Sequence, residues 1–309
     1  MNECTKTVLR DYEVRKTKAQ KETFRAWLCE RLKAAGYVPK VETQEGLITS
    51  HNVVVGDPDR AKVLLTAHYD TCAVLPIPNF VTPCSLTATV LYMLLLCAAL
   101  IVVIGGLEFA LVLLNIPAML SMLMVDGLLL FILWWTAAGK ANKHTANDNT
   151  SGVMTLLEIA LTLPEEERDK VCFVFFDNEE KGLFGSGAFV KAHPKARRDT
   201  LCLNFDCVSD GDHIRLFPQK AVKKDEETLA ALDAAFCSEG DKHCETVRGF
   251  GFYPSDQGKF RRGVGVAALN RNKLIGYYMN RIHTKRDTVM DERNIELLRR
   301  STLRFIADQ

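Results

Sequence analysis

Apolar positions along this chain fall into three patterns, and each predicts a different kind of element. The first is helical. Phe24, Leu28 and Leu32 recur at four-residue spacing in "RKTKAQKETFRAWLCERLKAAG" and predict a helix over 15–35 that Gly36 ends. Helices are likewise predicted over "SGVMTLLEIALTL", about 225–238 and 291–307. The second pattern is short and β-rich: "HNVVVG", "KVLLTAHYD", Val171 to Phe176, Leu201 to Phe205, His213 to Phe217 and Val264 to Leu269. Strands alternating with helices predict an α/β fold, a sheet sandwiched between helices.

The third pattern is too long for either. From Leu86 to Leu107 run 22 residues without a formal charge, and after Glu108 come 31 more, to Gly139, with Asp126 as their one charge. Each can cross a bilayer core as a helix. Two in tandem predict a transmembrane helical hairpin over 84–139, inserted into one α/β domain made of 1–83 and 140–309. Trp134 and Trp135, followed by Lys140 and Lys143, read as an interfacial aromatic belt with basic residues outside it. A second span ending at the tryptophans puts Asp126 near mid-membrane, where a charge is costly. A span from Phe109 to Val125 spares Asp126 but encloses Asn115 and Pro117, and the sequence leaves both limits open. The proline-rich "LPIPNFVTP" (Pro76, Pro78, Pro83) leads into the hairpin. Basic residues flank the soluble side and the connecting turn carries only Glu108, so the soluble domain is expected on the cytoplasmic side.

Composition adds two bounds. Among 309 residues, 39 Lys and Arg face 38 Asp and Glu, and a net charge of +1 gives no reason to expect a nucleic-acid partner. Ten cysteines occur singly, without a CxxC pair, and the N-terminus lacks the apolar run of an export signal. Both favour a reducing compartment.

Chemistry enters at the strand ends. "VCFVFFDNEEKG" sets Glu179 and Glu180 side by side directly after an apolar strand, where like charges are costly unless a cation compensates them. The other predicted strand and helix ends carry groups of the same kind: His68 and Asp70 in "AHYDTC", Asp148 in "ANDNTSG", Asp206 in "NFDCV" and His283 in "NRIHTKRDT". Singly, each has a bland reading: a structural histidine, a solvated turn, an N-cap. Together and in this order they suit zinc or a similar first-row ion, and carboxylates can bridge two such ions roughly 3.5–4 Å apart. One of the adjacent glutamates can then ligate while its neighbour acts as general base.

These stretches, with "FFDNEEKGLFGS", resemble the zinc-dependent M28 peptidases, the aminopeptidase family of co-catalytic metallopeptidases. The likeness spans the soluble chain from about residue 48 onward. It implies a mixed β-sheet flanked by helices, the three-layer sandwich of zinc exopeptidases, and two Zn2+ ions. Carried over by position, it implies His68 and Asp206 on one zinc, Glu180 and His283 on the other, and Asp148 bridging both. Glu179 would be the general base, and Asp70 the carboxylate that orients His68. The implied reaction is hydrolysis of a peptide substrate at its N-terminal residue, although the family also holds carboxypeptidases and the fold hosts single-zinc cyclases.

Two departures stand out. "YPSDQGKF" resembles the family's Ser-Asp-His segment, but Gln257 stands where His is usual, which bears on substrate recognition; Tyr253 and Asp256 are the candidate substrate contacts there. The distance from His68 to Asp148 is also unusually long, and the apolar insert is the excess. If both residues serve one metal centre, they lie on the same side of the membrane, and the insert must cross an even number of times. A non-catalytic receptor or scaffold on this fold is the rival reading, but no ligand position nor the base is substituted. "GVGVAA" does not follow a strand as a dinucleotide fingerprint would, and Ser186 lacks nucleophile-elbow spacing. Of the other histidines, His144 merits attention for its closeness to Asp148.

Overall fold

A computed structural model describes residues 2–75 and 77–309, so Pro76 of the predicted linker lies outside the described residues. Helices α1 (Glu3–Asp11) and α2 (Lys18–Ala34) precede strands β1 (Lys40–Gln44), β2 (Ser50–Val55) and β3 (Val63–His68). The long helices α3 (Leu86–Leu113) and α4 (Ala118–Ala138) follow, then α5 (Gly152–Thr162) and β4 (Val171–Phe176). Next come α6 (Phe184–Ala192), α7 (Pro194–Asp199), β5 (Leu201–Phe205), β6 (His213–Pro218) and α8 (Glu226–Ala235). Strands β7 (His243–Thr246), β8 (Gly263–Asn272) and β9 (Gly276–Tyr278) and helix α9 (Glu292–Ala307) complete the chain.

Among the described residues the strands form one mixed sheet in the order β1-β2-β4-β3-β5-β8-β6-β7, with β9 beside β8. The centre, β4-β3-β5-β8, is parallel, and antiparallel pairs flank it. Strands covered on both faces should read as unbroken apolar runs, and β4 does. Phe173 and Phe175 point into a core shared with Phe24 and Leu28 of α2, α5 and α9. Cys172, Val174 and Phe176 point the other way, against Phe189 and Val190 of α6 and Ala196 of α7. The fold is thus the helix-flanked mixed sheet that the sequence predicts.

Local chemistry sets the limits of these elements. Helix α2 starts at Lys18, not at 15, because Thr17 and Gln20 form a capping box, each side chain accepting from the other's backbone N–H. Gly36, at φ 86°, ends it. Arg15 is thereby released from the helix and turns inward, fully buried. Gly152 opens α5 where a Cβ would stand 2.2 Å from the Phe205 carbonyl at the end of β5, so only glycine lets the two elements approach.

Helices α3 and α4 pack on each other and leave the domain; almost none of either is buried in protein. With 28 and 21 residues at about 1.5 Å each, they are about 42 and 32 Å long, enough for a bilayer core of about 30 Å. Glu108 is not in the connecting turn, as expected, but inside α3. The turn is Leu114 to Pro117, where Asn115 adopts a left-handed φ of 52° and Pro117 caps α4. Helix α4 runs through both tryptophans, which settles its limits and places Asp126 in mid-helix. At the root, Ala73 and Ala141 form a β-bridge, Val74 N–H donates to the Lys140 carbonyl at 2.9 Å, and Trp135 Nε1 donates to the Val74 carbonyl at 3.2 Å.

Candidate metal centre

Three adjacent strands deliver the polar groups to one end of the sheet, the place where open α/β sheets carry their sites. His68 ends β3 in register with Phe176, the end of β4. Glu179 and Glu180 follow β4, and Asp206 follows β5. Asp148 sits in the irregular turn 146–151 before α5, and His283 in the loop between β9 and α9.

The five candidate ligands converge. One oxygen of Asp148 lies 3.4 Å from His68 Nε2, and its other oxygen lies 2.9 Å from His283 Nε2. His68 Nε2 is 3.6 Å from Asp206 Oδ1, and His283 Nε2 is 3.3 Å from Glu180 Oε2. Glu179 joins His68 and Asp206, their donor atoms all within 4.8 Å of one another; Cys72 joins Asp148, Glu180 and His283 on the same criterion. A carboxylate facing one histidine with each oxygen is the arrangement a bridge between two ions requires.

Around these groups a scaffold fixes the main chain. The Asp70 carboxylate accepts from the Glu179 and Glu180 backbone N–H groups at 2.9 and 3.2 Å, clamping the acidic loop. His68 Nδ1 meets the Asp70 backbone carbonyl at 3.1 Å and its carboxylate only at 3.6 Å, so the main chain makes the nearer contact. Asp287 does for Asp148 what Asp70 does for the glutamates, accepting from the Asn147 and Asp148 N–H groups at 2.8 and 3.0 Å. Buried Arg15 ties the Tyr69 carbonyl to Thr150 Oγ1, joining the end of β3 to the Asp148 turn. Asp177 at the head of the acidic loop pairs with Lys21 at 2.5 Å. Four non-glycine residues adopt positive φ here: Asn178 (55°), Leu183 (61°), Cys207 (58°) and His283 itself (58°). Such backbone costs on the order of 1 kcal/mol or more each and persists where surrounding structure enforces it.

Charge is out of balance in this space. Asp70, Asp148, Glu179, Glu180, Asp206, Asp256 and Asp287 crowd together, with Arg15 set among them and Lys16 and Lys21 acting on Asp70 from the edge. Burial, reinforced by Glu180 and Asp256, pushes Glu179 well above the usual carboxylate range against the opposing pull of His68. Burial and Asp148 take Glu180 to about 8 despite His283. Burial would lower His283, but Glu180 and Asp148 hold its proton up to about 10. Glu180 Oε1 is buried with no hydrogen-bond partner. Nitrogen and carboxylate donors, an orphaned oxygen and a surplus of negative charge fit divalent cations, and this donor set suits zinc.

The substrate candidates lie alongside. Tyr253 is buried, and its hydroxyl donates to the Asp206 carbonyl at 3.1 Å, so it buttresses the backbone of a candidate ligand. Both Asp256 oxygens are buried, with the Ser186 hydroxyl as the neighbour that favours the carboxylate and Glu179 as an adjacent charge. Gln257 is locked inside, accepting from Asn204 at 3.1 Å and donating to the Tyr253 carbonyl. A cleft of about 450 Å³ opens beside Tyr253, walled by Leu183, Phe217 and Phe252 with Lys220, Lys223 and Lys259. His144 turns away; its nearest acid is Glu13 at 3.9 Å. Sequence reasoning missed Arg15, Cys72 and Asp287, although "AHYDTC" and "RIHTKRDT" contain the last two.

Fold and site together define a zinc-exopeptidase-like architecture, and solved structures share it. The Legionella pneumophila LapA aminopeptidase aligns over 99% of this chain and 68% of its own, at 14% identity and a TM-score of 0.60. Porphyromonas gingivalis glutaminyl cyclase aligns over 99% and 96%, at 16% identity and 0.62. A Zn-dependent exopeptidase from Parabacteroides distasonis aligns over the same shares, at 16% identity and 0.60. No curated protein sequence matches the chain. Residues 133–305, more than half the chain, match the peptidase family M28, and the protein belongs to that family of metallopeptidases.

Proposed function

We propose that this protein is a membrane-tethered dinuclear zinc aminopeptidase, with 84–139 as the tether and 1–83 and 140–309 as the catalytic domain on the cytoplasmic side. The observation that carries the reading is Asp148, whose two oxygens face His68 and His283 separately. His68 and Asp206 would hold one ion, Glu180 and His283 the other. Zinc bound there would supply Lewis acidity toward the scissile carbonyl and the attacking water. Glu179, beside the ligands but left out of that set, takes the proton of the attacking water and passes it to the leaving amine. Asp70 and Asp287 hold the glutamate and Asp148 main chains still while this happens. Asp256, a buried carboxylate beside Ser186 and in the field of Glu179, would receive the substrate's α-ammonium once substrate opens a way to it, and the Tyr253 cleft would take the first side chain. The apolar helices support the tether, and Lys140 and Lys143 just beyond α4 support the orientation.

The test is metal content per chain of the detergent-purified protein beside Asp148→Asn. Close to two ions in the wild type, both weakened by the substitution, with release of N-terminal residues from peptides, is the expected result. One ion that survives the substitution, with cyclisation of N-terminal glutamine in place of hydrolysis, overturns it in favour of a cyclase. No ion even after zinc is supplied overturns it in favour of a non-catalytic membrane protein.

A further inference from the structure

One flank of the hairpin root, where the chain enters α3, carries apolar side chains that the α/β domain leaves in solvent. Phe250 and Phe252, in the loop after β7, are 51% and 64% exposed; Leu274, at the tip of the β8–β9 turn, is 94% exposed. Both loops are stitched to the chain that enters α3. Phe252 N–H donates to the Pro83 carbonyl at 2.8 Å, Val81 bridges Met279 next to β9, and Phe80 stacks on Tyr278 at 5.5 Å. Phe250, Leu274 and Ile275 share one surface depression with Cys84 and with Ser85, the residue that caps α3. These tips therefore stand level with the start of the first long apolar helix. Exposed Arg271 and Lys273 adjoin Leu274. Aromatic and aliphatic tips beside cationic groups, at the level where a span begins, match the headgroup layer of an anionic bilayer.

Resting on the tether reading above, we propose that the 249–252 loop and the 273–276 turn form a second membrane contact that seats the catalytic domain on the bilayer surface. Phe252 belongs to this rim and also walls the substrate cleft beside Tyr253. Seated this way, the cleft mouth lies at the headgroup layer, and its substrates are peptide N-termini presented at a membrane surface.

Photocrosslinking the full chain in nanodiscs of phosphatidylcholine and phosphatidylglycerol tests this. Benzoylphenylalanine would replace, one at a time, Phe250, Leu274, Val102 in mid-α3, and Leu47. Leu47 is exposed at the β1–β2 end of the sheet, opposite the rim, and serves as the soluble control. The expected result is lipid adducts at Val102, Phe250 and Leu274, several-fold above Leu47. Adducts at Val102 alone overturn the rim contact and leave the tether standing. Adducts at none of the four overturn the tether itself.

Discussion

Glu179 and Glu180 share a loop, a burial and a clamp, yet face different neighbours: Glu179 lies with His68 and Asp206, Glu180 against His283. Their roles should separate on the same line. Glu179→Gln keeps the shape and removes the base; turnover should fall by on the order of a hundredfold or more while metal content is unchanged. Loss of metal from that variant, measured by atomic emission, would exchange the two assignments. At this scale the candidate ligands could be picked out because a polar group after an apolar strand is conspicuous. Arg15 could not, because "RKTKAQ" reads as a solvated helix start, and only the Thr17 cap turns its side chain inward. Asp287 was hidden as one charge among several in "HTKRDT".

Elements were legible to the degree that both their faces are buried. Strands β4 and β5 fall where the apolar runs predict, since each lies between two layers. Strand β1 escaped notice because it is an edge strand with an exposed, charged sequence, "KVETQ". Helix α6 escaped because "FGSGAFVKA" carries two glycines that disfavour a helix. Packing overrides them: at Gly185 a Cβ would stand 2.0 Å from the Asp177 carbonyl, so the glycine is what lets α6 close on the acidic loop. The central strands also carry the stability. Phe175, fully buried in the larger core, should cost about 3–5 kcal/mol when replaced by Ala, read as a lower midpoint in chemical denaturation. A loss below about 1 kcal/mol would mean that this layer is not the core it is taken for.

For the whole molecule, the hairpin is an excursion between two points that touch. Ala73 and Ala141 are bridged, so a short Gly-Ser loop replacing 76–138 closes a gap that the native pairing already holds shut. Such a chain should fold, remain in the soluble fraction and bind its full complement of metal. Metal loss on excision would show instead that the anchor helps to build the site. The sequence foretold this arrangement because His68 and Asp148 had to meet across an insert. It left the turn at Leu114 to Pro117 open, since Asn115 and Pro117 interrupt an apolar run that otherwise continues on both sides and could also be enclosed in one helix.

Leu75, at the foot of the hairpin, donates its N–H to the backbone carbonyl of His283 at 2.8 Å. The hairpin is thus one hydrogen bond from a candidate ligand, and that residue already sits in an unfavourable backbone well. On the proposal that α3 spans a bilayer, its 28 residues would tilt further in a thin one than in a thick one, and the change would reach the root that Leu75 ties to His283. On the same proposal, turnover should vary with lipid acyl-chain length in the native protein and become indifferent to it once the hairpin is excised, which would make this chain a gauge of bilayer thickness.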